Sequence, residues 1–211
     1  MQDIVRICWT AISLEMPRVW RNCSRCGATT PFICSEKFRV NAHGKRLDAW
    51  LIYRCAGCDQ TWNHPILERV PVTEVDPSEL RALSENCGRL VERYASDMAR
   101  LQRYSDRIEE PDTVVLEARL LGRRDGEPKT LVVSIAVPRP CRVRLDRLLA
   151  SGLGLSRGAV QRLRDAAVLI VSPPGRAALR QPVRDGQTVT VDLRSVESAT
   201  SLLSAALRGT S

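Results

Sequence analysis

Residues 143–164 read VRLDRLLASGLGLSRGAVQRLR, a stretch that divides into two short helices with a turn between them. Leu145, Leu148 and Leu149 recur at helical spacing, as do Val160, Leu163 and Ala167, so each segment has one apolar stripe to bury against the other. Gly152 and Gly154 interrupt the pattern where the chain must turn. Ser156 stands where a hydroxyl can accept an orphan backbone N–H, which starts the second helix. Arg144 and Arg147 lie three apart on the polar side of the first helix; Arg157, Gln161 and Arg164 lie four and three apart on the second, with Arg162 beside them. Both polar faces are cationic, and the planar, two-pronged guanidinium suits phosphate.

Downstream the pattern turns to β. Ala167 to Val171 is apolar, and residues 182–191, PVRDGQTVTV, read as a turn followed by an alternating strand. With Arg144, Leu145, Asp146, Leu148, Leu149, Gly152, Leu153, Ser156, Arg157 and Leu163, the segment resembles the RNA-binding domain first seen in ribosomal small-subunit protein four, also called the alpha-L motif. It departs from that pattern at Ala166-Ala167, where the family usually has a Gly before its strand, and at Ser172-Pro173-Pro174-Gly175, where Val-Asn-Gly is usual. The resemblance covers roughly the last third of the chain. It implies an RNA-binding scaffold whose contacts are Arg144, Arg147, Arg157, Gln161, Arg162 and Arg164, and it favours RNA over DNA.

Charge is distributed in agreement. The chain has 32 basic and 24 acidic residues, net +8, and residues 138–211 hold 12 arginines, no lysine and 5 acids, so +7 resides there. Residues 1–65 carry 9 basic and 5 acidic side chains and residues 66–137 carry 11 and 14, which places an acidic middle between two basic ends. A solvated basic face on an ordinary helical hairpin has the same charge.

The second strong signal is Cys23-Ser24-Arg25-Cys26-Gly27 with Cys55-Ala56-Gly57-Cys58-Asp59, two C-x-x-C knuckles separated by 28 residues. Four thiolates so arranged close a tetrahedron around a structural Zn2+, the signature of a zinc ribbon. Gly27 and Gly57 are expected to give the knuckle turns their backbone freedom. Lys37 to Val40 and Ala49 to Arg54 read as strands joined through His43-Gly44. A thioredoxin-like site needs one C-x-x-C opening a helix, which neither pair does. Disulfides need an oxidising compartment, whereas Asp3, Arg6, Glu15 and Arg18 surround only a short apolar run with no clear cleavage site, so a cytosolic chain is expected. A catalytic zinc keeps an open position, unlike a full set of four cysteines. Cys8, Cys34, Cys87 and Cys141 read as small buried or half-buried thiols, and His43 and His64 as surface or packing residues; whether Cys34, His43 or His64 adds to the metal site stays open.

Lys37-Phe38-Arg39-Val40-Asn41-Ala42, Lys45, Leu47-Asp48-Ala49-Trp50-Leu51-Ile52-Tyr53-Arg54-Cys55 and Thr61-Trp62-Asn63 look like a bacterial family catalogued only as a domain of unknown function, number 1062. That resemblance brings no activity; it implies that ribbon and RNA-binding hairpin belong to one architecture. Phe38, Trp50, Ile52, Tyr53 and Trp62 are expected to build a small core stapled by the metal.

Between the two, Asp76-Pro77-Ser78-Glu79 is a helix start, continued by Leu80, Leu83, Leu90, Val91, Tyr94, Met98, Leu101 and Tyr104 as one or two packing helices that Gly88 breaks or loosens. Thr113 to Leu121 and Thr130 to Val137 flank Arg123-Arg124-Asp125-Gly126-Glu127-Pro128, a β-hairpin signal. The expected architecture is α+β: a zinc-ribbon β-hairpin domain over 1–70, a helical and β-hairpin connector over 71–138, an alpha-L domain over 139–194 and a mobile, helix-compatible tail over 195–211. Gly152-x-Gly154 with Gly158 lacks the strand and spacing of a dinucleotide loop. Arg46-Leu47-Asp48 and Arg144-Leu145-Asp146 match the Arg-Leu-Asp of pseudouridine synthases without room for their catalytic sheet. No P-loop, Ser-His-Asp set or membrane-spanning run is visible. The reading is a non-catalytic, cytoplasmic zinc protein that binds structured ribosomal or transfer RNA, with ribosome association among the implied partners. The alternative is a DNA-binding or protein-interaction regulatory module on a structural zinc ribbon, and an RNA-modifying enzyme stands third.

Overall fold

Val5, Ile7, Trp9 and Ala11 are buried while Arg6, Cys8, Thr10 and Ile12 alternate with them, and this period of two makes β1 (Ile4–Ile12) a strand with one covered face. The computed structural model describes residues 3–105, 107–123, 127–175 and 177–209. It divides into two compact units, one of Glu15–Glu110 and one that joins Met1–Leu14 to Pro111–Ser211. Among the described residues the fold is mixed α+β, with two five-stranded sheets and six α-helices.

The Glu15–Glu110 unit begins with β2 (Arg18–Cys23), β3 (Ala28–His43), β4 (Arg46–Cys55) and β5 (Thr61–Pro71). Its helices are α1 (Pro77–Ser84), α2 (Gly88–Ala95) and α3 (Met98–Leu101), and β6 (Ile108–Glu109) completes an antiparallel sheet of order β5-β4-β3-β2-β6. Asp76 caps α1 by accepting from the Ser78 and Glu79 N–H groups. The helical run breaks twice; the first break is at Asn86, φ 53°, so Gly88 opens α2 instead of interrupting a longer helix. Leu83, Leu90, Val91, Tyr94, Ala95 and Leu101 cover one face of the sheet, on Val19, Phe32, Leu51 and Tyr53. Of the five residues expected to pack beside the metal, Phe38, Tyr53 and Trp62 lie on this covered side, and strand alternation turns Trp50 and Ile52 to the other.

His64 is fully buried, among the rings of Tyr53, Trp62 and Tyr104, and neither imidazole nitrogen has a hydrogen-bond partner among the described residues. Burial, then the Arg100 and Arg21 guanidiniums, push its pKa down to about 4.

The other unit contains β7 (Val115–Arg123), β8 (Thr130–Ala136), α4 (Leu145–Leu153), α5 (Arg157–Asp165), β9 (Leu169–Ser172), β10 (Thr188–Asp192) and α6 (Ala199–Arg208). The expected β7–β8 hairpin is not formed. The sheet order is β7-β1-β8-β10-β9, with β1 inserted antiparallel to β7 and parallel to β8. Turn residues 124–126 lie outside the described residues. Strands of this kind satisfy any neighbour of matching register, and β1 supplies the residues that bury best: Ile7, Trp9 and Ala11 are each 0% exposed. The boundaries drawn at 70 and 138 therefore differ from those of the structure, because β1 pairs outside the Glu15–Glu110 unit and the connector strands join the C-terminal sheet.

Helices α4, α5 and α6 share one core with this sheet through Leu145, Leu148, Leu149, Leu153, Val160, Leu202 and Ala206. Gly152 is not at the turn. It lies inside α4 against the Trp9 ring, where a Cβ would come within 2.5 Å of Trp9 and 2.7 Å of Leu116. Gly154 makes the turn as the left-handed C-cap, φ 66° and ψ 33°. Ser156 caps α5 through the Ala159 N–H at 3.1 Å, whereas Ala167 falls beyond that helix, exposed and at φ 56°. The tail, expected to be helix-compatible and mobile, forms the helix α6, whose Ala206 carbonyl accepts the Trp9 indole N–H at 2.8 Å and ties it to the sheet. No helix of the described residues is long and apolar enough to cross a membrane.

Candidate metal centre and cationic face

Cys23 closes β2 and Cys55 closes β4, with β3 between them, so the register of three strands hangs both knuckles from one end of the sheet. The Ala56 N–H donates to the Pro31 carbonyl at 2.9 Å and ties the second knuckle to β3. Within each knuckle the chain folds back alike: the Gly27 N–H donates to the Cys23 carbonyl at 2.9 Å and the Asp59 N–H to the Cys55 carbonyl at 3.0 Å. Both turns need a left-handed residue, Gly27 at φ 65° and Asp59 at φ 58°. Gly57, expected to serve that purpose, does not. A Cβ there would stand 3.4 Å from the Cys26 sulfur and 3.9 Å from that of Cys55, in contact with the cluster.

The sulfurs of Cys23 and Cys58 are 3.5 Å apart, those of Cys26 and Cys55 3.8 Å, and all four lie within 4.8 Å of one another. Four sulfurs bound about 2.3 Å from one tetrahedral ion stand about 3.8 Å apart, so the set could hold a metal ion. The Thr30 hydroxyl, 3.1 Å from the Cys55 sulfur, and then the Gly57 and Cys58 N–H groups pull the Cys55 thiol down to about 6. Cys23 and Cys55 are buried, Cys58 half-buried and Cys26 exposed, which leaves the centre at the rim of the sheet. Cys34 points into the unit's core, its thiol pushed up to about 11 by burial, and His43 is exposed. Neither belongs to the four-sulfur group, nor does His64.

Asp146 organises the cationic face. This carboxylate, 11% exposed, takes the Arg144 guanidinium through Nε at 3.1 Å and Nη2 at 2.6 Å, and Arg157 Nη2 at 3.4 Å. Arg144 is the N-cap residue of α4 and Arg157 the first residue of α5, so one buried acid gathers a cation from each helix start. The remaining members are dispersed along the helices. Arg147 reaches the Asp112 carbonyl at 3.4 Å, Gln161 donates to Asp165 at 2.8 Å, Arg164 donates to the Gly175 carbonyl at 2.6 Å, and Arg162 is exposed. The Arg144–Pro182 bridge and the Val183-to-Val143 hydrogen bond of 2.8 Å set Arg184 across from Arg142, two further exposed cations beside the pair. Sequence reading named Asp146 and Asp59 without giving either a role at the site, and it passed over Thr30; the signal available for Asp146 was an acid at a helical position otherwise given to arginines.

Residues 40–173 match the model of one family, described as Protein of unknown function (DUF1062). Neither a curated protein nor a solved structure matches the chain.

Proposed function

This chain belongs to the family described as Protein of unknown function (DUF1062), and from that premise we propose a non-catalytic zinc protein that binds structured RNA, ribosomal or transfer RNA being the class meant. The metal reading rests on the donor set: four thiolates are soft, closed and spaced for a tetrahedral ion, which favours Zn2+ held for structure. Cys23, Cys26, Cys55 and Cys58 would hold it, and the ion would fix the ends of β2 and β4.

The RNA reading takes the helical pair as an alpha-L-like scaffold, with Arg144, Arg147, Arg157, Gln161, Arg162 and Arg164 as its contacts. The observation that carries it is the arrangement around Asp146, which preorients Arg144 and Arg157 while leaving their side chains 42% and 60% exposed. Cations held in place but not consumed lose less entropy on meeting a phosphate backbone than free ones.

Binding of a labelled RNA hairpin, followed by anisotropy across a salt series, tests this. Arg144→Ala and Arg157→Ala should each weaken binding about three- to tenfold and lower the slope of log K against log salt by roughly one, with metal content unchanged. Unchanged slopes in every variant of the six residues would overturn the assignment.

A further inference from the structure

Helices α1 to α3 pack on one face of the Glu15–Glu110 sheet, and no other described helix of that unit packs on the opposite face. Strand alternation puts Trp20, Ile33, Trp50, Ile52 and Arg54 on that open face, with Arg39 opposite Trp50, Arg54 opposite Ile33 and Asn63 opposite Ile52. Ile33 is 45% exposed, and both tryptophans remain partly exposed. Each carries a guanidinium: Arg107 lies 3.6 Å from the Trp20 ring centroid and Arg39 5.9 Å from that of Trp50. Arg39 and Arg54 are exposed and enter no ion pair among the described residues.

An open antiparallel sheet with aromatic rings flanked by unspent cations has a defined chemistry. Rings stack on bases of any identity, and arginines meet the phosphates between them. Two acids stand nearby, Glu109, which accepts the Trp20 indole N–H at 2.9 Å, and Asp48, which accepts the Arg69 N–H at 2.7 Å. Each keeps its negative charge, but Arg39, Arg54 and Arg107 outnumber them, so the surplus charge among these residues is positive. An acidic peptide would use the cations and leave the rings idle, and a second copy of the chain would bring Arg39 and Arg54 against themselves. Trp20 and Trp50 lie two strands and about six residues apart, about 20 Å, a span that several extended nucleotides cover.

We propose that this face binds single-stranded RNA, with Trp50 as a stacking platform and Trp20 as a second one freed when Arg107 moves from its ring to a phosphate, Arg39 and Arg54 on further phosphates and Asn63 placed for a ribose hydroxyl. The site is distinct from the helical pair of the other unit and does not depend on it.

The test uses the full-length protein and a fluorescein-labelled single-stranded oligouridylate of twelve nucleotides, with a DNA oligothymidylate of equal length and an RNA hairpin as further probes. Trp20→Ala with Trp50→Ala should weaken oligouridylate binding at least tenfold, Arg39→Glu with Arg54→Glu by a similar factor, and Trp50→Tyr should retain most of it. Both tryptophans lie outside the buried core, and metal content together with circular dichroism checks that each variant is folded. Hairpin binding should be unmoved by these changes and fall with Arg144→Ala. Undetectable oligouridylate binding, full binding by the folded tryptophan variant, or binding that falls with Arg144→Ala instead would overturn this site and leave the helical one standing. Equal affinity for oligothymidylate would overturn the assignment to RNA. Loss of hairpin binding alone would remove the function proposed above and leave this face intact.

Discussion

Gly152 is the position where the least chemistry decides the most packing. Its missing Cβ lets α4 rest directly on Trp9, and Gly152→Ala should cost about 1–3 kcal/mol in a urea unfolding series despite the better helix propensity of alanine. A variant as stable as the parent would show that the helix can shift without loss. Asp146 makes a prediction of unusual sign. Removing an acid from a cationic surface should tighten polyanion binding by charge alone, yet Asp146→Asn releases Arg144 and Arg157 and should weaken hairpin binding by roughly threefold or more, about 0.7 kcal/mol; tighter binding by that variant would deny Asp146 a positioning role. His64 sets a pH response. Its pKa lies near 4 in the folded chain and near 6.5 when exposed, so the unfolded chain takes the proton first. Stability from the neutral ring is complete above about pH 6.5 and is lost as pH falls towards 4. His64→Phe should remove that component, so the difference in urea midpoint between variant and parent should grow from pH 7 to pH 5. At this scale the sequence showed which cysteines converge, because spacing encodes it, but not that Asp59 does the work assigned to Gly57 or that His64 is enclosed, since both depend on neighbours distant in the chain.

Elements were legible where a periodic pattern meets a local signal. The α4–α5 pair was readable from the leucine stripe, from Ser156 as cap and from Gly154 as stop, and the β3–β4 hairpin from alternation around His43-Gly44, where Gly44 takes φ 60°. Pairing was not legible. The alternation of Thr113 to Leu121 and of Thr130 to Val137 marks two strands but says nothing about what lies between them, and β1, more than a hundred residues earlier, takes the place. The segment beyond Ser195 was legible as a helix but not as part of the core: its small residues look dispensable until the Trp9 indole needs the Ala206 carbonyl. A chain ended after Glu197 should lose about 2–4 kcal/mol, since Leu202 and Ala206 leave the core and a buried indole N–H loses its acceptor. Denaturant titration with Trp9 in view reads this directly, and an unchanged midpoint would return α6 to the status of an appendage.

The described residues form two hydrophobic cores, one in each unit, and the core of Glu15–Glu110 includes Cys23 and Cys55 of the cysteine cluster. Metal removal by a strong chelator should therefore open Glu15–Glu110 to protease and spare the other unit, with peptides from residues 15–110 appearing first by mass spectrometry. Simultaneous digestion of both units would mean that the cores unfold as one. The division itself has a consequence for how the protein is made. β1 is synthesised more than a hundred residues before β7 and β8 exist to flank it, while the cysteine-bearing unit between them can already close. The emerging chain thus carries an interior strand of an unfinished sheet, with Ile7 and Trp9 open to chaperones or to other nascent chains, until β7 and β8 have been made. A fragment that starts at Pro111 would have every helix of the basic unit and still lack the strand on which that unit is assembled.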